Sequence, residues 1–263
     1  LLIYMLFVQS VTVKGVNRWI EIGQFSFQPS EVTKYALILY LADTLARKQE
    51  KLWSFVDGYL PLLMIVSGTA LLIFLEPDFS SAVFLTAIAI MILYLGHVRV
   101  KHLAFTGLTA LPFIYLAVFN SSYRFQRLMG FFNPKSDLLG SNYQINQSLI
   151  SLGSGGIFGQ GIGNSKEKLL YLPEPFTDFI FSILGEEFGF VGATFALTLF
   201  LVIFWRGVVI ARQAPDLFGS LLAIGITITI VLAAFINVGV ISGLLPTTGL
   251  PIPFISYGGS SLI

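Results

Sequence analysis

Apolar runs close to the length of a bilayer crossing recur along this chain, and they decide what it can fold into. Tyr59–Leu75, Ser80–Leu95, Leu103–Phe119, Phe179–Val209 and Leu217–Leu245 hold few charges between them. A crossing helix takes about 20 residues. Of 263 residues, 55% are hydrophobic and 11% charged; a soluble domain carries about 25% charged residues. So little polar surface cannot cover a globule, which makes lipid the solvent. In lipid the main chain must satisfy its own hydrogen bonds, and these runs do so as helices. The expected class is therefore all-α, a polytopic membrane helix bundle. Leu1–Val13 reads as part of a further span, Lys14–Pro29 as a polar loop, and Glu31–Ala46 as a helix capped by Ser30. Leu1 falls inside an apolar run and Ile263 at the start of another. The expectation is one membrane domain over residues 1–263, truncated at both ends.

A net charge of +1 excludes a nucleic-acid partner, because such binding rests on clustered cations. Zero cysteines exclude disulfides, thiolate metal sites and cysteine nucleophiles. Lys and Arg in short loops set orientation. Arg47, Lys48, Lys51, Arg99, Lys101, Arg206 and Arg212 fall on one side, which is then cytoplasmic. The opposite, extracytoplasmic side collects the loop with Trp19, the turn Glu76–Asp78, residues 120–177 and the tail with YGGS. Residues 120–177 form one large extracytoplasmic loop without a membrane-length run. Within it Tyr143–Leu152 carries a helical apolar stripe, with Ser141 as cap and Gly153 as stop. The glycine-rich GSGGIFGQGIG that follows lacks the ending of a nucleotide-binding loop.

Asp178 stands where this loop gives way to an apolar run. It has two readings: a helix cap after Pro173, Pro175 and Thr177, or a base that takes a proton from a hydroxyl. Glu31 and Lys34, three residues apart, share a helix face; they read as a local ion pair or as a functional charge pair inside a span. Arg18, Arg124 and Arg127 are cations on the outer face, suited to a pyrophosphate or to lipid headgroups. Trp19 reads as an interfacial anchor or a sugar platform, and Asp78 as a cap or a ligand. Of Glu186 and Glu187, at least one should face other helices through a hydrogen bond. His97 and His102 flank a cytoplasmic turn without other ligands nearby, so no metal site is read there.

Several stretches resemble one family. GVNRWIEIGQFSFQPSEVTK, EPDFSSA, YQINQSLISLGSGGIFGQGIG, LPEPFTDFIFSILGEEFG and LPTTGLPIPFISYGGSS are similar, in order, to motifs of the SEDS family, which includes FtsW, RodA and SpoVE. The wording leans to the division and sporulation branch. The resemblance implies a bundle of ten membrane helices, of which this chain would be a fragment. It implies a peptidoglycan glycosyltransferase in the bacterial cytoplasmic (inner) membrane. The enzyme polymerises lipid II, an undecaprenyl-pyrophosphate disaccharide pentapeptide, at the outer face and works with a class B penicillin-binding protein. By the same resemblance Asp178 matches the essential acid of the family's PExxTDFIF motif. Glu31, Lys34 and Asp78 line the central cavity, and Trp19 belongs to the RW motif. Lys34, Arg18, Arg124 or Arg127 would offset charge on the departing pyrophosphate. A divalent cation held by Asp78 or Glu31 is an open alternative, as no residue cluster fixes such a site. Two rival functions remain open: a lipid II flippase or other transporter, and a non-enzymatic scaffold of the division machinery.

Overall fold

A computed structural model of the chain describes residues 2, 20–22, 25–133, 142–167 and 176–257. Its elements run as strands β1 (Ile20–Ile22) and β2 (Phe25–Phe27), then helices α1 (Pro29–Arg47), α2 (Leu60–Leu75), α3 (Phe79–Leu95) and α4 (Val100–Phe119). They continue as α5 (Ser122–Phe132), α6 (Tyr143–Gly155), α7 (Ile180–Gln213) and α8 (Leu217–Ile241). Among the described residues, four helical stretches are long and apolar enough to cross a bilayer: Phe55–Leu75, Val100–Phe119, Ile180–Gln213 and Leu217–Ile241. Phe79–Leu95 is a shorter apolar helix. The all-α class holds, with one small addition. The expected polar loop before α1 contains an antiparallel hairpin in which Ile20 pairs with Phe27 and Ile22 with Phe25.

The described residues form two compact units. The first gathers those of Leu1–Leu108 and Phe204–Thr229. Here α1, α2 and α3 pack on one another. Helix α1 starts earlier than its Ser30 cap predicted. Pro29 takes the first helical position and Gln28 the cap, without a side-chain bond. Proline suits that position because its missing N–H would be unpaired anyway. Asp78 does cap α3, accepting from the Ser81 N–H at 3.1 Å. Gln28 Nε2 reaches Asp78 Oδ2 at 3.3 Å, so the starts of α1 and α3 lie together. At their other ends Gln49 Nε2 donates to the Gly96 carbonyl at 3.3 Å, and the Arg99 guanidinium lies 4.5 Å from the Trp53 ring centroid. The turns bearing Lys48, Lys51 and Lys101 therefore share one end of this unit. Gly225 of α8 sits so near α1 and α3 that an added Cβ would stand 2.7 Å from Ile38 and 3.0 Å from Ile92. Close approach at small residues is how membrane helices gain packing energy without a hydrophobic drive.

The second unit comprises Thr109–Ile203 and Ile230–Tyr257. Its core joins Phe179, Phe181, Ile183 and Phe200 to Ala234, Ile241 and Ile252. The described part of residues 120–177, expected as a loop, carries two helices, α5 and α6. Helix α6 runs past Gly153 to Gly155 and is ended by Gly156 at φ +56°. Gly153 adopts ordinary helical geometry, so it stops nothing. Helix α7 extends beyond the expected Val209 and is broken at Gly189, whose φ/ψ of 67°/−166° no helix allows. The break is bridged by the glycine-rich segment. Gln160 N donates to the Glu186 carbonyl at 2.9 Å and Gly161 N to that of Glu187 at 3.1 Å. In return Phe190 N donates to Gly156 and Val191 N to Ile157, at 2.9 and 3.1 Å. These are the groups a helix break orphans.

Contact here is backbone on backbone. A Cβ on Gly159, at φ +82°, would stand 2.2 Å from the Glu187 carbonyl oxygen. Gly159→Ala should destabilise the protein by about 1–3 kcal/mol, read as a lower melting temperature in detergent. Gly153→Ala is the control, since nothing stands within 4 Å of its added methyl. It should leave that temperature unchanged or raise it.

Candidate active site

Asp178 stands in the turn before α7, two residues ahead of Ile180 and one ahead of the capping position. Its surroundings are fixed by the segment that follows α8. Asn237 of α8 donates through Nδ2 to the Asp178 carbonyl and to the Leu250 carbonyl, both at 2.8 Å. Ser256 Oγ donates to the Thr177 carbonyl at 2.7 Å and accepts from Ile252 N at 2.9 Å. Tyr257 N donates to the Phe176 carbonyl at 2.8 Å. Gly249, at φ +72°, passes over the carboxylate: an added Cβ would lie 3.4 Å from Asp178 Oδ2.

A cation shares this place. Arg127 of α5 donates to the Thr247 carbonyl at 3.3 Å, and its guanidinium lies 4.4 Å from the Tyr123 ring centroid. Arg127, Gln144, Asp178, Asn237, Thr247 and Gly249 line one crevice of about 20 Å³. That volume holds one group the size of a water molecule or hydroxyl. The structure thus brings Arg127 to Asp178 and takes Arg124 elsewhere. Arg124 Nη1 donates to the Ala117 carbonyl at 2.7 Å, capping the last turn of α4. Arg18 and Trp19 lie outside the described residues.

Glu31, Lys34 and Asp78 gather at one end of the first unit. Lys34 Nζ is 2.8 Å from Glu31, and the two side chains keep 8% and 13% of their exposure. Lys34 also lies 5.4 Å from the Phe84 ring centroid, so it is held inward and does not snorkel. Below it the seam between α1 and α3 has no room for water. Glu31 is committed to Lys34, and Asp78 to Ser81 and Gln28. Among the described residues no three acidic or histidine side chains converge on a metal position. His102 instead packs its ring against Phe55 and Tyr59.

Glu186 is almost fully buried and meets the expectation of a hydrogen-bonded carboxylate. It accepts from Ser151 Oγ of α6 at 3.0 Å, Ser165 Oγ at 2.6 Å and Lys166 N at 3.0 Å. It anchors the end of the glycine-rich segment to α7. Glu167 beside it is half-buried, with Oε2 shut off from solvent and unbonded. Burial, and then the charge of Glu186, push the Glu167 carboxyl above its ordinary value. A raised folded-state pKa favours the protonated form. The stability this group contributes is complete below the ordinary carboxylate range and is lost as pH rises through its folded pKa. Glu167→Gln should remove that loss. Relative to the wild type it should melt higher at pH 8 than at pH 5, measured by thermal unfolding in detergent.

Sequence reasoning missed Asn237, Gln144, Thr247 and Gly249. For Asn237 a signal existed: a lone amide in a long apolar run needs a polar partner. The other three join the site only through the fold.

A profile of the cell cycle protein family FtsW/RodA/SpoVE matches residues 1–263. The chain is 46% identical over 248 residues to stage V sporulation protein E of Bacillus subtilis (strain 168), covering 94% of this chain and 68% of that one. It is 44% identical over 264 residues to a probable peptidoglycan glycosyltransferase FtsW of Geobacter sp. (strain M18), covering 100% and 72%. Among solved structures it resembles a chain from work on polymerization and crosslinking by a peptidoglycan synthase complex. That match has a TM-score of 0.78 and 28% identity, covering 99% of this chain and 73% of the other. It also resembles the rod shape determining protein RodA of Thermus thermophilus, with a TM-score of 0.68 and 27% identity, covering 99% and 69%.

Proposed function

This chain belongs to the FtsW/RodA/SpoVE family of cell cycle proteins, and we propose that it polymerises lipid II with Asp178 as the base. It is an integral membrane protein and a peptidoglycan glycosyltransferase. The acceptor sugar's 4-hydroxyl oxygen attacks the anomeric carbon of the lipid-linked donor sugar. The bond from that carbon to the pyrophosphate breaks, and the hydroxyl proton passes to Asp178. A base contributes here because the hydroxyl gains nucleophilicity as it loses its proton. The leaving pyrophosphate gathers charge, and a bidentate guanidinium is the side chain best shaped to hold it. The observation that carries this reading is that Asp178 and Arg127 line one crevice the size of a hydroxyl.

In this reading Glu31, Lys34 and Asp78 form a second contact region for the substrate, and Arg18, Trp19 and Arg124 serve the outer face. The reaction runs at the extracytoplasmic side of a bacterial cytoplasmic membrane. It serves cell division or sporulation, in keeping with the relatives named FtsW and stage V sporulation protein E. The working partner is a class B penicillin-binding protein, which crosslinks the strands.

The test uses purified protein with that partner and fluorescent lipid II in detergent. Long glycan strands on a gel are expected. A flippase has no measurable task without two separated sides, so substrate that stays monomeric in an assay with a working control polymerase would sink the reading.

A further inference from the structure

Asn237 is engaged in a way its position in a membrane helix does not require. Only 3% of it is exposed. Both carbonyls it serves lie outside its own helix: Asp178 in the turn before α7, and Leu250 in the segment after α8. The amide orientation follows from this, since two acceptors must face the NH₂ end. The opposite end, Oδ1, is then left buried without a donor. An unmatched buried acceptor is costly, on the scale of a lost hydrogen bond. Natural structures keep such groups where a water or ligand completes them. Asn237 lines the crevice with Asp178 and Arg127, and that crevice has room for one small donor.

Resting on the glycosyltransferase reading, we propose that Asn237 is a positioning residue for the reaction. Its NH₂ group fixes the Asp178 main chain to the Leu250 segment, and so holds the carboxylate under Gly249. Its Oδ1 receives the hydrogen bond of the hydroxyl as it enters the crevice, and that single O–H turns to Asp178 when the proton is transferred. The same segment binds Arg127 through the Thr247 carbonyl. One stretch, Thr247–Leu250, thereby sets both the base and the cation, and Asn237 ties it to α8.

Two variants separate the two ends of the amide. Asn237→Asp keeps the shape and an acceptor oxygen but loses the paired donors. Asn237→Ala loses both. With lipid II as substrate, at a temperature where each variant remains folded, Asn237→Asp should lower kcat at least tenfold and leave KM within threefold. Asn237→Ala should lower kcat similarly and also raise KM at least fivefold. An Asn237→Asp enzyme with kcat within twofold of wild type overturns the positioning role. A kcat that falls only in step with the folded fraction, with KM unchanged in both variants, marks a purely structural residue and overturns it too. A KM for Asn237→Ala no higher than that for Asn237→Asp overturns the role of Oδ1.

Amide hydrogen exchange supplies a readout independent of activity. Exchange across residues 176–180 and 249–252 should rise at least tenfold in Asn237→Asp, with α1–α3 unchanged. Unchanged exchange there refutes the pin whatever the kinetics. A wild-type protein that makes no glycan, while these exchange effects appear, refutes the glycosyltransferase reading and leaves the pin standing.

Discussion

Asp178→Asn should reduce polymerisation of lipid II by roughly 10²–10⁴-fold, the span over which a positioned base acts. The substitution keeps the size of the side chain and removes its ability to take a proton. The Asp178 carbonyl still accepts from Asn237, and Thr177 and Phe176 keep their bonds to Ser256 and Tyr257. Folding should therefore be spared, and melting in detergent should stay close to wild type. The informative measurement is the initial rate of strand growth with partner protein present, beside that melting curve. Activity within a few-fold of wild type would remove Asp178 from the chemistry. Cells that divide normally on Asp178→Asn alone would point instead to the scaffold reading.

Lys34→Met should have the largest effect on stability. Lys34 and Glu31 form a nearly buried ion pair. Removing one member strands the other charge away from water, at a cost of about 3–5 kcal/mol. The double change Glu31→Leu with Lys34→Met should recover most of that loss, because two apolar groups of similar volume need no solvation. Denaturant titration in detergent of the wild type, Glu31→Leu, Lys34→Met and the double variant gives the comparison. A single variant that loses under about 1 kcal/mol would show a pair that behaves as solvated. The double variant should also be a poor polymerase if the pair contacts substrate, a separation of stability from activity that the single variants cannot supply.

The bundle was legible because its signal is coarse: apolar runs of membrane length leave a chain little choice but helices. The Glu31–Lys34 pair was legible from its three-residue spacing, and the Asp78 cap from its place after Pro77. What failed to show were features made by contact between distant residues. Nothing in the sequence places Arg127 beside Asp178 and Arg124 at the end of α4, since both sit on the same short helix. The break in α7 was hidden because apolar residues continue on both sides of Gly189. Two carboxylates shortly before it, Glu186 and Glu187, were the available hint, as Glu186 in continuous lipid would lack its three donors. Helix α5 escaped notice because its mixed polar and aromatic residues look like a loop until they are seen wound. The hairpin at Ile20–Phe27 is too short for alternation to register.

A fractured rod usually works as a hinge, but the one at Gly189 is splinted. Four main-chain bonds from residues 156–161 straddle it, and flexing there would break several at once, at about 0.5–1.5 kcal/mol each. The segment that looks most pliable by its glycine content is the brace that keeps this joint stiff. Whatever swing lets a lengthening sugar polymer slide through must bend the protein somewhere other than at this joint.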